Sequence, residues 1–564
     1  KNCSKNQDEN TVIITPEQFS FTAETRLMQS VYEQTKSKAV LNAEVITFNR
    51  MAYRVLNEVL GEANTKTNLS KCGKAMLVYS ILDKQKSKLK FLGKSVENID
   101  LSINAINEFK QHGITTQTLE QEIEQTEEKY LKCKLEDMSL IYKSFEEQIQ
   151  GKYIDETDLL SLLAENLDKT EMFKNTIFYI DEFSGFTKQE YDIIKKLAQI
   201  SKEVNITICT DSLFTGTSPE KDIYYSNKIT ITKLFQLAEE LNIIPEQIEL
   251  EEAHRFKNHE LKHLKENLYA NKSTKYEENV ENIKLFLARN QYSEVENVAR
   301  SITKLVRDEN YRYKEISVIA KNIDTYANLV RAIFSKYNIP VFIDEKRELN
   351  QNIFIQYVLS ILEVFTKNWS YESVFNYIKT GFLPFDETEI FKLENYCIKW
   401  GIKQNKWKKD FNIKAEENKK EEIERLNEIR KQIVEPLLQL KEKIDQEKTG
   451  TAISKNLYEF IISQGIETTL SAKMNDLEEQ GLIDLKNEYK ASYQVLIDIL
   501  DEINLVFGED KIGVEKYLQI LKVGLQNSGL GKIPGTQDQV ILGDVDRSRS
   551  HKARAVFILG INDG

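Results

Sequence analysis

Proline is scarce in this chain, at seven in 564 residues. With so few helix breakers the composition, heavy in Lys, Asn, Ile and Glu, suits a helix-rich α/β protein. The five cysteines (Cys3, Cys72, Cys133, Cys209 and Cys397) stand far apart and form no CxxC. That spacing excludes a disulfide framework and a zinc ribbon, and fits a reducing cytoplasm. No apolar run approaches the roughly 20 residues that span a bilayer, so no membrane role is expected. The chain opens Lys-Asn-Cys without Met and stops at Gly564 directly after an apolar strand, which predicts an internal piece of a longer protein. No signal peptide is visible, although a missing start would hide one. The net charge of −12 excludes a simple basic nucleic-acid binder, but not a local groove that works by stacking. One further absence matters most. No GxxxxGK[ST] occurs, and the nearest look-alike, Gly73-Lys74, runs into Ala75 with no glycine at the required spacing before it. Without that phosphate cradle and its lysine, a full ATPase site is not built.

What is present is organised around Asn175 to Tyr191. The apolar run Ile177 to Ile180 reads as a short buried strand, followed at once by Asp181 and Glu182. In nucleotide-hydrolysing α/β folds such a strand end places the Asp near a phosphate-bound Mg²⁺ and the Glu near the attacking water. The plainer alternative is a core strand with a solvated turn, and both stay open here. Thr187 is the expected N-cap of a helix over 188–200.

The length allows roughly three to five domains. Strands over 11–15 and 44–48, each followed by a helix, and strands over 177–181 and 204–210 around the helix 188–200, predict a parallel sheet. Residues at the carboxyl ends of such strands line the binding crevice, so Gln18, Ser20, Phe48, Arg50, Tyr53, Asp181, Glu182 and Phe186 are expected on one rim. Residues 65–165 carry 3.6-type apolar spacing and predict a helical insertion. Residues 212–280 read as a bridge with a helix near 229–241. A second α/β unit is expected from a strand at 283–288, a helix at 292–308, a strand at 315–320, a helix at 324–337 and a strand at 339–343. Residues 350–530 read as nearly all helical, and strands over 539–543 and 555–559 close the chain. The layout is two α/β lobes, each with a helical insertion.

Three motifs carry competing chemistry. His259-Glu-Leu-Lys-His263 matches the zinc-protease pattern HExxH, but its lysine-rich neighbours favour a solvated helix with Leu261 and Leu264 inward. Gly543 to Arg549 resembles a paired-carboxylate metal site. No acidic, lysine-bearing partner strand follows, so a loop carrying Arg547 and Arg549 toward phosphate is the better reading beside a plain polar connection. Trp400 and Trp407 lie among Lys399, Lys403, Lys406, Lys408 and Lys409, a mixture that suits single strands. The mixed charges over 415–431 favour a solvated amphipathic helix instead.

Taken in order, the segments Thr15 to Phe21, Val45 to Arg54, Tyr179 to Tyr191, Tyr292 to Arg300, Ile339 to Arg347, and Gly543 to Arg549 with Phe557 to Gly564 resemble the AddB family, one of the two chains of the bacterial ATP-dependent helicase/deoxyribonuclease AddAB. The resemblance implies a superfamily 1, UvrD-like helicase fold with two RecA-like parallel-sheet lobes. Its boundaries would be lobe 1A over 1–64 and 166–215, insertion 1B over 65–165, a bridge over 216–282, lobe 2A over 283–348 and 535–564, and insertion 2B over 349–534. It implies a P-loop before Lys1, and a nuclease domain with an iron–sulfur cluster after Gly564. ATP and Mg²⁺ would act only in the intact subunit, with Asp181 contacting the metal indirectly and Glu182 beside it. The implied partners are the AddA motor subunit in a heterodimer, single-stranded and double-stranded DNA. The implied role is processing double-strand breaks while scanning a single strand for Chi, with Gln18, Ser20, Phe48, Arg50, Tyr53 and Phe186 as the matching positions. The alternatives are a working translocase using Asp181 and Glu182 once the P-loop is present, and a scaffold for AddA. In one respect the chain departs from the pattern: many relatives carry Asp-Gly where it has Asp181-Glu182.

Overall fold

The computed structural model describes residues 9–36, 42–61, 67–92, 97–213, 222–250, 258–270, 272–343, 347–411, 420–530, 538–545 and 553–562. In chain order the strands are β1 (Asn10–Ile14), β2 (Ala43–Ile46), β3 (Thr67–Leu69), β4 (Tyr153–Asp155), β5 (Thr176–Ile180), β6 (Glu203–Ile206), β7 (Ile316–Ala320), β8 (Val341–Ile343), β9 (Arg347–Glu348), β10 (Gly529–Leu530), β11 (Val540–Asp544) and β12 (Ala555–Leu559). Two four-stranded sheets, ordered β2-β1-β5-β6 and β12-β7-β11-β8, are parallel throughout. The architecture is therefore α/β with two parallel sheets, in a chain that is mostly helical.

The first sheet follows from alternation. Val12 and Ile14 on β1, Ile46 on β2, and Phe178 and Ile180 on β5 face one side. Against them pack Met51 and Val55 of the helix Phe48–Leu60, Leu163 of Leu159–Asn166, and Ile193 and Leu197 of Lys188–Ile200. The expected cap of that last helix forms, and forms as a box: the Thr187 hydroxyl accepts from Glu190 N–H while the Glu190 carboxylate accepts from Thr187 N–H. In the second sheet, Val318, Val540, Leu542 and Leu559 meet Val295, Val298, Ile302, Val330 and Phe334 of the helices Gln291–Asp308 and Ile323–Lys336.

Two expectations are corrected. Residues 283–288 form no strand. No neighbouring strand pairs with them among the described residues, and Leu285 and Leu287 stand 94% and 96% exposed. Phe48 begins a helix rather than ending a strand, because Thr47 turns the backbone there and its hydroxyl caps Arg50 N–H.

The two helical stretches do not stand apart. Cys72 and Met76 of the helix Lys71–Gln85 belong to the core of the later stretch, and Val523 of the helix Val514–Asn527 belongs to that of the earlier one. Ser70 N–H donates to Glu502, the Tyr153 hydroxyl to Leu505 O, and Lys516 pairs with Asp83 at 3.0 Å. Gly73 and Gly524 allow this approach, since a Cβ on Gly524 would stand 2.3 Å from Met76.

Candidate functional site

The order of the first sheet fixes where a site forms. From β1 the chain moves outward to β2, and from β5 it moves the other way to β6. The point where the direction reverses lies between β1 and β5, and in open parallel sheets the crevice opens there, beyond the strand carboxyl ends. A cleft of about 260 Å³ occupies that place, lined by Thr15, Phe19, Arg26, Ser30, Asp181 and Glu182 among others. Thr15 is buried and its hydroxyl has no hydrogen-bond partner among the described residues. Asp181 is exposed, with its N–H donating to Ile14 O and its carboxylate accepting from the Thr207 hydroxyl. Glu182 takes φ +68° and faces Arg26 at 3.8 Å.

Of the expected rim, Asp181 and Glu182 line this cleft, and the other residues do not. Gln18 and Ser20 lie in the first turn of the helix Glu17–Thr35, with Gln18 exposed and the Ser20 hydroxyl bonded to Glu17 O. Two bridges tie this helix to the start of Phe48–Leu60: Asn49 donates to Glu17 at 3.0 Å, and Arg50 to Glu24 at 3.1 Å. Arg50 and Tyr53 remain exposed. Burial, then the carboxylates of Glu156 and Glu17, raise the Tyr53 phenol above its ordinary pKa, which keeps it protonated as a donor. Tyr53 also borders a second cleft of about 330 Å³ with Asn68, Ser70, Lys71 and Glu156.

Phe48 differs from the expectation of an open stacking face. It is 5% exposed, with its ring 5.7 Å from Phe183. It begins an aromatic ladder that continues from Phe183 to Phe186 at 5.1 Å and from Phe186 to Tyr191 at 5.5 Å, with Lys233 over the Tyr191 ring. Phe183, Phe186 and Tyr191 are half-buried and reach the surface. Phe183, Tyr191 and Lys233 escape sequence reasoning. Phe183 directly follows the acidic pair, a signal that could have found it, whereas Tyr191 lies in the helix Lys188–Ile200 and Lys233 arrives from a helix some 40 residues further on. Arg547 and Arg549 lie outside the described residues.

The sequence holds no glycine-rich cradle, the cleft arginine is engaged by Glu182, and no group of three or more His, Cys, Asp or Glu among the described residues is arranged to hold a metal ion. The other motifs also resolve as structure. Glu260 of the HExxH stretch is buried and accepts from Glu281 and Asn282 N–H, and His263 meets Thr274 O, whereas Leu261 and Leu264, expected inward, are each 39% exposed. Lys74 of the P-loop look-alike is buried on Asp155 at 2.6 Å. Trp407 is fully buried, so only Trp400 of the basic aromatic stretch has a free face.

Two parallel sheets, with a cleft at the reversal point of the first, define an α/β protein. Residues 1–265 match a family model described as "ADDB, N-terminal". The chain is 37% identical over 581 residues to the ATP-dependent helicase/deoxyribonuclease B-subunit of Clostridium botulinum (strain Loch Maree / Type A3), covering 100% of this chain and 50% of that protein. The same identity holds over 576 residues with the protein of that name from Clostridium kluyveri, covering 99% and 50%. With that from Caldanaerobacter subterraneus subsp. tengcongensis it holds over 569 residues, covering 98% and 48%. The chain is similar to these proteins along its whole length, and it spans about half the length of the curated relatives it matches. No helix among the described residues is long and apolar enough to cross a membrane.

Proposed function

We propose that this chain is the helicase-like part of the AddB chain of a two-subunit helicase–nuclease that processes DNA double-strand breaks for recombinational repair. The observation that carries this reading is the 37% identity, sustained over the whole chain, to a protein named as the B-subunit of an ATP-dependent helicase/deoxyribonuclease. In this reading the two sheets are the lobes 1A and 2A of a UvrD-like superfamily 1 fold, and the helical stretches are 1B and 2B. The partner is the AddA motor subunit, the substrate is DNA and the compartment is the cytoplasm. ATP and Mg²⁺ belong to the whole protein, since this chain lacks the cradle.

The strand-end rim holds single-stranded DNA and scans it for Chi. A ladder of half-buried rings gives sequence-tolerant stacking, while Arg50 and Lys233 supply charge for phosphate. Gln18, Ser20 and Tyr53 supply donors and acceptors for base edges. Fluorescence anisotropy of a labelled single-stranded oligonucleotide tests the site. Phe186→Ala combined with Arg50→Ala should weaken binding by about tenfold or more, given about 1–3 kcal/mol per stacked base and one lost phosphate contact. Unchanged affinity in a folded double variant would remove the rim from the binding site.

A further inference from the structure

The helix Glu387–Trp400 ends at Gly401, which takes φ +57° to close it. The loop that follows is pinned from below. Trp407 is buried with its ring 5.9 Å from Phe375 and 6.2 Å from Phe411. Arg430, itself 4% exposed, donates to Trp407 O at 3.0 Å and to the Asp410 carboxylate. Gln404 N–H donates to Trp369 O, and Asn427 makes two bonds with the backbone of Phe411. Lys406 Nζ ties back to Trp400 O and Gly401 O. A loop held at this many points is rigid.

Lys406 apart, what it displays outward has no such structural use. Residues 398–409 contain five lysines (Lys399, Lys403, Lys406, Lys408 and Lys409) and no acidic residue, in a chain whose net charge is −12. All five are exposed, and none forms an ion pair with a carboxylate among the described residues. Asp410, which would otherwise neutralise the patch, is turned to Arg430. Trp400 stands 43% exposed beside them, with Lys399 Nζ 5.5 Å from its ring centroid. Concentrated like charge raises the energy of the free protein, and an exposed indole adds apolar surface. A polyanion with flat apolar faces relieves both.

We propose that the Trp400–Lys409 loop is a second nucleic-acid contact, which takes phosphates on Lys399, Lys403, Lys408 and Lys409 and stacks one unpaired base on Trp400. Single strands are favoured over duplex because a paired base hides its face inside the stack. The assignment rests on the reading of this protein as one that handles DNA, but on residues separate from the rim.

The test compares variants of the full-length protein in salt titrations with labelled single-stranded and duplex oligonucleotides. Lys403→Gln, Lys408→Gln and Lys409→Gln together spare Lys406, which holds the loop. They should lower the slope of log affinity against log salt by about 2 for single strands. Trp400→Ala should weaken single-strand binding by about fivefold or more with that slope unchanged, and leave duplex binding as it was. Equal losses for both DNAs in Trp400→Ala would overturn the stacking assignment. Unchanged affinity and slope in both variants would overturn the contact, and would leave an acidic protein surface as what the loop meets. The Phe186→Ala, Arg50→Ala protein keeps the two sites distinct: loss there with no loss in the loop variants retains the rim and removes the loop, and the reverse retains the loop and removes the rim.

Discussion

Glu182 holds a backbone conformation that side chains avoid, at φ +68°, and Arg26 stands 3.8 Å from its carboxylate. Left-handed geometry costs an ordinary residue about 1–2 kcal/mol, and glycine escapes that at some loss of unfolded-state entropy. Glu182→Gly should therefore leave stability unchanged or raise it by up to about 1 kcal/mol in denaturant unfolding. A loss beyond about 1 kcal/mol would mean that the Glu182 side chain holds the cleft together. The two tryptophans of the basic stretch separate just as sharply. Trp407 is buried between Phe375 and Phe411, and truncation to Ala should cost about 3–5 kcal/mol. Trp400→Ala should stay within about 0.5 kcal/mol by the same assay. Their identical sequence setting, a Trp beside lysines, hides this difference, because Gly401 and the turn at Gln404 decide which ring points inward. Phe48 misleads for a similar reason: its apolar run continues that of β2, and only the Thr47 cap reveals that the helix has begun.

Between elements, charge does work that local patterns do not reveal. Lys74, Lys110 and Asp155 are buried together where β4 meets the helices Lys71–Gln85, Glu97–Gln111 and Lys129–Ile149. Lys110 also reaches Glu146 and Asp158, each at 2.8 Å, and both ammonium groups lie over the Phe145 ring. Burial alone would raise the Asp155 pKa, but Lys74 and Lys110 outweigh it and hold the carboxyl below its usual range. Asp155→Ala takes the carboxylate partner from buried Lys74 and one of three from Lys110, and should cost about 3–5 kcal/mol at neutral pH. Because the native pKa is depressed, this stabilisation is complete above the unfolded carboxylate value of about 4 and is lost as pH falls through the lower native value. Urea unfolding between pH 6 and pH 3 should show that loss in the native chain, and a weaker pH dependence in Asp155→Asn. Between the two sheets in sequence, Glu260 fastens residues 281 and 282, so Glu260→Ala should speed hydrogen exchange of those amides while the sheets stay protected. The neighbouring run 283–288 reads as a strand because its residues suit one. Strand formation needs a partner edge, and none engages it among the described residues.

Over the whole molecule, strand–helix alternation makes both parallel sheets legible, since buried parallel strands leave short apolar runs between amphipathic helices. The rim is partly legible for the same reason: strand ends are marked by Asp181, Thr47 and Thr15, and topology brings them to one edge. The packing of the two helical stretches on each other is not legible. It joins residues more than 400 positions apart, such as Ser70 and Glu502, and nothing local announces such a pair. The central claim is that the rim of the first sheet holds a single DNA strand by stacking. Photocrosslinking of a single-stranded oligonucleotide bearing 5-iodouracil, followed by mass spectrometry of the linked peptides, tests it most directly. Links at Tyr53, Phe186 or Tyr191 that vanish under excess unlabelled single strand are the predicted result. Efficient crosslinking confined to other parts of the chain, with these three residues unmodified, would contradict it.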